Sequence, residues 1–218
     1  MKIIFNFILF TWFILWMPLL AVGLVSRRWT RVFIIADAHG VLAICRIVAG
    51  IRYKIHGRAM DKCIIAAKHM SILEVAMLVT SVPDNFFIIK RELLWLPVYG
   101  WCFARIGFVG INRVSGATNM NKLAAAVASR IASGRRLVIF PEGTRKLPGA
   151  GVSLKRGLLF LADKLNLPIQ TVGTDSGVYW PRQGKMRSGT ANLYYSDKTL
   201  PANSELSAIA SAIAAQSA

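Results

Sequence analysis

Residues 137–145 read Leu137-Val138-Ile139-Phe140-Pro141-Glu142-Gly143-Thr144-Arg145. The apolar run predicts a short buried strand, and Pro141 ends it because proline cannot donate to a ladder. An acid, a glycine, a hydroxyl and an arginine then crowd into four positions. Other runs repeat this form. Cys63–Ala67 leads into Lys68-His69-Met70-Ser71-Ile72-Leu73-Glu74, Phe108–Ile111 into Asn112-Arg113, and Phe86–Ile89 into Lys90-Arg91-Glu92-Leu93. Ile169–Val172 is a fifth candidate strand. In open α/β sheets, ligand-binding groups gather beyond the carboxyl ends of the strands. Reactive residues here follow strands.

Between these strands lie stretches with helical spacing, near Ile72–Val79, Thr118–Ser133 and Leu154–Leu165. Gly134 is placed to close the second of them. Strands alternating with helices predict an α/β domain whose sheet is mostly parallel and flanked by helices. The chain shows no internal repeat. After Lys198 it turns Ser/Ala-rich and is expected to form at most a short helix.

The N-terminal part has a different character. Ile3 to Val25 is almost continuously apolar, long enough to span a hydrocarbon core of about 30 Å as a helix. Trp12 and Trp16 suit the membrane interface, and Arg27, Arg28 and Arg31 follow directly. The positive-inside rule then places the rest of the chain on the cytoplasmic side of the inner membrane. The run is long for a cleaved signal peptide. Val32 to Ile51 is also apolar, but Asp37, His39 and Arg46 interrupt it. Those charges are costly at bilayer centre, which favours a hairpin with the first segment in the interface over a second span. The expected division is an anchoring helical segment over 1–51, an α/β domain over 52–200 and a Ser/Ala-rich tail over 201–218.

The 218 residues include 27 Lys+Arg against 10 Asp+Glu, a formal charge of +17, yet 55% are hydrophobic. So apolar a chain is no disordered polycation. The basic residues are scattered between apolar runs without a nucleic-acid-binding motif, which favours an anionic membrane surface or substrate over nucleic acid. Cys45, Cys63 and Cys102 lack CxxC spacing, so buried reduced thiols are expected rather than a metal site.

His69 and Glu74 are five positions apart and lie about 140° apart on a straight helix. They meet only if His69 sits in the loop and Glu74 in the first helical turn. The carboxylate would then accept from Nδ1–H while Nε2 takes a proton, two members of a triad without a protein nucleophile. The nucleophile would be a substrate hydroxyl. A surface histidine beside a helix-start acid is the plainer alternative. Arg113 and Arg145 offer planar donor forks suited to phosphate. Gly143 permits close backbone approach, and Thr144 offers a hydroxyl. Glu142 could bind a hydroxyl or hold an arginine, or simply close a turn.

Taken together, the segments resemble the glycerolipid acyltransferase family, of the lysophosphatidate acyltransferase type. His69 with Glu74 resembles its His-x4-Asp motif. Gly110-Ile111-Asn112-Arg113 resembles its second motif, and Phe140 to Arg145 its Phe-Pro-Glu-Gly-Thr-Arg motif in full. Lys90, Glu92 and Leu93 match its Lys-x-Glu-Leu element, and the similarity runs from about Lys54 to Trp180. Glu74 replaces the motif's Asp, Asn112 lacks its acid, and Leu167–Val172 fits its fourth motif poorly. Thr174 to Trp180 has no counterpart in these motifs.

The resemblance implies acyl transfer from a thioester, carried by coenzyme A or acyl carrier protein, to the 2-hydroxyl of lysophosphatidate, yielding phosphatidic acid. His69 and Glu74 would be the catalytic pair. Lys90, Arg113, Glu142, Gly143, Thr144 and Arg145 would bind substrate, with no cofactor or metal. Acylation of another lyso-lipid, such as a lysophospholipid or lyso-ornithine lipid, is the nearest alternative. A non-catalytic membrane-binding relative is a further one.

Overall fold

Every residue of Ile64–Ala67, the strand preceding His69, is buried. Cover on both faces is the mark of a central parallel strand. The computed structural model, which describes residues 2–112, 117–147 and 149–217, makes this strand β2 of seven. The others are β1 (Ile51–His56), β3 (Asn85–Lys90), β4 (Val109–Ile111), β5 (Arg136–Ile139), β6 (Ile169–Thr174) and β7 (Gly189–Leu200). They form one sheet in the order β1-β7-β6-β2-β5-β3-β4. Every neighbouring pair is parallel except β6 with β7.

The five strands expected from sequence all form, and the sheet gains two more. β1 is an edge strand whose middle residues, Arg52 to Lys54, are exposed. Lysine and arginine on an edge are a common guard against pairing with another chain. β7 buries Ala191, Leu193 and Tyr195 at alternate positions, the period-2 pattern of a half-buried strand.

The helices are α1 (Lys2–Gly23), α2 (Arg27–Ala49), α3 (Leu73–Ser81), α4 (Tyr99–Arg105), α5 (Ala117–Ala132), α6 (Gly157–Leu165), α7 (Ser176–Tyr179) and α8 (Leu206–Ala215). A 3₁₀ turn covers Arg91–Trp95. α5 ends two residues before Gly134. The Ser/Ala-rich terminus forms α8, which packs on β6 through the buried Ile209 and Ile213. Ile51, assigned by sequence to the anchoring segment, is the first residue of β1 and pairs with Gly189.

α1 and α2 form an antiparallel hairpin, and both are long and apolar enough to cross a membrane. Their environments differ. α1 exposes large apolar side chains, among them Ile3, Phe7, Phe10 and Leu15. α2 instead buries Ile34, Ala38, Val41, Leu42, Cys45 and Ala49 at helical spacing, and packs against α3. Its interrupting Asp37 is buried between the two helices, where Trp12 Nε1 donates to Oδ1 at 2.8 Å. That bond offsets part of the cost of burying the carboxylate. His39 and Arg46 face outward.

At the amino end of β3, Asp84 ties α2 to the sheet. It pairs with Arg31 of α2 and, at 3.4 Å, with Arg135. Arg135 is buried, donates to the carbonyls of Asn85 and Ile106, and lies 5.0 Å above the Phe86 ring. Burial, then the positive charges of Arg27 and Arg31, hold its pKa down at about 10 against the pull of Asp84. Cys45, Cys63 and Cys102 are free and buried, and burial raises the thiols of Cys63 and Cys102 to about 11.

Because α2 covers α3, removing residues 2–49 should do more than detach an anchor. Burying Ile34, Val41 and Leu42 alone is worth on the order of 5 kcal/mol, a large part of the 5–15 kcal/mol that holds a typical domain together. The shortened protein should melt at a markedly lower temperature than the full chain in the same detergent, followed by circular dichroism. An unchanged melting temperature would mean that α2 adds nothing to the α/β body.

Candidate active site

The strand order places β6, β2 and β5 side by side and parallel. The loops after Ala67, Ile139 and Thr174 therefore meet at one edge of the sheet, at the crevice where open α/β sheets hold ligands. His69 comes from the first loop, Glu142 and Arg145 from the second.

His69 lies in the loop before α3, and Glu74 is the second residue of that helix. His69 Nδ1 and Glu74 Oε1 are 2.9 Å apart. Glu74 is fully buried, whereas the His69 side chain keeps 18% of its surface accessible. The ring thus turns Nδ1 to the carboxylate and leaves Nε2 for a substrate. Phe140, at the end of the β5 run, stacks on the imidazole at 4.2 Å and fixes its plane.

The Glu74 carboxylate is saturated. Oε1 also accepts from the backbone N–H groups of Met70 and Ser71 at 2.9 and 2.8 Å. Oε2 accepts from Ser71 N at 2.9 Å and from Ser176 Oγ at 2.6 Å. These donors, two of them backbone groups at a helix start, make a buried carboxylate tolerable.

Glu142 supports the histidine from the other side. Its Oε2 accepts from His69 N at 3.1 Å, and Lys146 N donates to the His69 carbonyl at 2.9 Å. The β5 loop thereby clasps both ends of the His69 peptide unit. Glu142 is buried, and Oε1 has no partner among the described residues. Burial pushes its pKa up, while the His69 N–H and then the charges of Lys68 and Lys146 oppose the rise. Gly143 follows with φ +69°, a left-handed conformation that glycine adopts without strain.

Lys90, Gly143, Thr144 and Arg145 all line the same cavity as His69 and Glu142, together with Asn112. Lys90 is exposed and pairs with Glu92 at 3.2 Å. Arg145 is half-buried; burial lowers its pKa, Glu74 favours its charge and Arg182 opposes it. Arg113 lies outside the described residues. Sequence reasoning missed Ser176, whose hydroxyl reaches Glu74 from a segment it could not interpret. It also missed Lys155, whose N–H donates to Pro141 O at 2.8 Å and which lines the cavity.

The cavity has a volume of about 1400 Å³. From His69 it extends past Ile72, which precedes α3, and Val75 of α3 to Phe13 and Met17 of α1. One end is therefore basic and the remainder mostly apolar, with Asp37 in its lining. That division matches an amphipathic ligand with an anionic head and a hydrocarbon tail.

The sequence and fold have relatives. The family model described as Acyltransferase matches residues 51–175, over half of the chain, and the chain belongs to that family. Among curated proteins, it is 34% identical over 144 residues to the 1-acyl-sn-glycerol-3-phosphate acyltransferase of Pseudomonas aeruginosa, covering 65% of this chain and 56% of that protein. It is 31% identical over 134 residues to the human 1-acyl-sn-glycerol-3-phosphate acyltransferase beta, covering 60% and 48%. The chain spans about half the length of these relatives. Among solved structures, the 1-acyl-sn-glycerophosphate acyltransferase of Thermotoga maritima shares the fold, with a TM-score of 0.71 at 18% identity. That match covers 99% of this chain and 94% of the other.

The clasp on His69 generates a prediction. Glu142→Ala leaves the His69 N–H without its acceptor, and losing a charge-assisted hydrogen bond costs about 1.5–3 kcal/mol, so turnover should fall about ten- to a hundredfold. Glu142→Gln keeps a carbonyl oxygen for that N–H and should retain more activity. Steady-state kinetics on the two variants decides the matter. Equal losses would assign Glu142 to something other than the backbone contact.

Proposed function

We propose that this protein transfers a fatty acyl group from an acyl thioester to the 2-hydroxyl of lysophosphatidate, forming phosphatidic acid. The observation that carries the reading is a buried His–Glu pair opening onto a cavity with a basic mouth and an apolar interior. The names of the relatives agree with it.

In this mechanism Nε2 of His69 removes the proton of the acceptor hydroxyl as its oxygen attacks the thioester carbonyl. Glu74 fixes the Nδ1–H tautomer and stabilises the imidazolium. The carbon–sulfur bond then breaks, and the departing thiolate takes the proton back from His69. No acyl group is attached to the protein. The buried thiols of Cys45, Cys63 and Cys102 fit that scheme, because burial keeps a thiol protonated and unreactive.

Arg145, Lys90 and Arg113 would hold the acceptor phosphate, with Glu142, Gly143 and Thr144 shaping the glycerol site. The partly desolvated Arg145 is the strongest of these, since low local dielectric strengthens its pairing with an anion. The apolar arm of the cavity, bounded by α1 and α3, would take an acyl chain. The donor would be acyl-coenzyme A or acyl-acyl carrier protein, both anionic and suited to a chain of charge +17. The exposed apolar face of α1 supports membrane attachment. By the positive-inside rule, Arg27, Arg28 and Arg31 would keep the catalytic body on the cytoplasmic side of the inner membrane.

His69→Ala should lower kcat by about 10²–10⁴-fold, the usual worth of general-base assistance, in a protein that still folds and binds vesicles. Near-normal turnover in that variant would remove His69 from the mechanism. Arg145→Ala should raise the KM for lysophosphatidate about ten- to a hundredfold, with less effect on kcat and little on the KM for donor. Arg145→Lys should restore only part of the loss, because an ammonium cannot reproduce the guanidinium fork. If the Ala variant weakened donor binding and left acceptor saturation unchanged, the phosphate assignment would fall. Lysophospholipid or lyso-ornithine lipid in place of lysophosphatidate would test the acceptor directly.

A further inference from the structure

The segment Thr174 to Trp180, unassigned by sequence, turns back over the catalytic pair. β6 ends at Thr174, and the short α7 begins at Ser176. Ser176 is fully buried, and its Oγ donates to Glu74 Oε2 at 2.6 Å, the shortest hydrogen bond to that carboxylate among the described residues. The serine is itself held in place. Its N–H donates to Thr174 Oγ1 at 3.1 Å, and Thr174 Oγ1 donates to Asn192 O at 2.8 Å. Asn192 is fastened in turn by Asp175, whose two oxygens accept from its N and Nδ2 at 2.6 and 2.8 Å. At the next residue, a side chain on Gly177 would lie 2.7 Å from Met70 Cβ, so only glycine lets this turn settle onto the His69 loop.

We infer that Ser176 is a positioning residue for acyl transfer: its hydroxyl holds the far oxygen of Glu74 so that the near oxygen stays aligned on His69 Nδ1. This inference rests on the catalytic role proposed for His69. Four contacts bind the carboxylate to its own loop, all of them local: His69, Met70 and two from Ser71. Ser176 is the long-range contact, over 102 residues of sequence. It locks the pair to β6, so that the loop and the sheet cannot shift independently. It also donates to the carboxylate oxygen that faces away from His69.

The charged groups around this pair come from three elements. Lys68 and His69 belong to the β2 loop; Glu142, Arg145 and Lys146 belong to the β5 loop. On the β6 side, Asp175 is engaged by Asn192, and the charge of Arg182 acts on Arg145. None of these is removed when Ser176 is changed to alanine. That variant therefore alters one donor in an otherwise constant field.

The test uses the full chain in detergent micelles and four variants: Ser176→Ala, Ser176→Cys, Glu74→Gln and the Glu74→Gln/Ser176→Ala double variant. Ser176→Ala should lower kcat about ten- to a hundredfold, as for loss of one charge-assisted hydrogen bond. Both KM values should be nearly unchanged, and the acid limb of kcat/KM should move to higher pH. The limb moves up because an uncompensated Glu74 carboxylate favours the imidazolium, so His69 becomes a free base only at higher pH. A thiol is a weaker donor than a hydroxyl, so Ser176→Cys should show the same changes to a smaller degree. In the Glu74→Gln background, Ser176→Ala should add nothing.

The His69 titration, followed by NMR and assigned by its loss in His69→Ala, reports the coupling without any turnover. It should shift to higher pH in Ser176→Ala and less in Ser176→Cys. Wild-type kcat with an unmoved titration in a folded Ser176→Ala overturns the assignment. If Ser176→Ala does not fold, an unmoved titration in Ser176→Cys does the same. Failure of the wild-type chain to acylate any lyso-lipid would sink the proposed function while leaving the titration to decide the Ser176–Glu74 coupling.

Discussion

The buried carboxylate of Glu74 is the constraint around which the rest of the site is arranged. A fully buried anion is costly unless donors surround it. Here they come from the histidine it orients, from two backbone N–H groups at a helix start and from a serine that opens α7, just beyond β6. The helix start supplies a favourable field for negative charge within its first turn. Each donor is also a positional restraint. Satisfying the charge and aiming the imidazole are therefore the same structural problem, solved by one set of contacts.

That arrangement requires a parallel sheet with this strand order. β2 lies between β5 and β6, so its carboxyl-end loop has a neighbour on either side. The β5 loop contributes Glu142 and Phe140, which fix the His69 backbone and ring. The β6 side contributes Ser176. An antiparallel neighbour would have placed its carboxyl-end loop at the opposite edge. The antiparallel strand β7 lies beyond β6, one strand removed from β2, and serves the site indirectly through Asn192, which Asp175 holds.

The two N-terminal helices connect this chemistry to an apolar phase. α2 is packed on α3, the helix that carries Glu74, and is tied by Arg31 and Asp84 to the opposite end of the sheet. α1 covers α2 on one side and exposes apolar residues on the other. The cavity passes between this pair and the sheet. Under the proposed function, the same helices that attach the protein to a lipid surface would wall the space for an acyl chain. The basic groups sit at the polar end, where phosphate and thioester carrier would arrive from water.

The sequence alone determined the elements whose signals are local. The apolar runs before His69, Lys90 and Pro141 are largely buried parallel strands, and such strands read as continuous β-rich stretches whatever lies beside them; the run before Asn112 forms the half-buried edge strand β4. For His69 and Glu74 to meet, the spacing called for His69 in a loop and Glu74 in a first helical turn, because no straight helix brings residues five apart together. β1 was not legible: four of its six residues are exposed, Arg52 and Lys54 among them, so it becomes a strand only by pairing with β7. The role of α2 was hidden for a related reason. Apolar helices against lipid and against protein share one composition, and contact with α3 decides between them. Ser176 shows the limit most clearly. Nothing near residue 176 marks a serine as a partner of residue 74, since a hydrogen bond across 102 positions exists only once β6 has been laid beside β2.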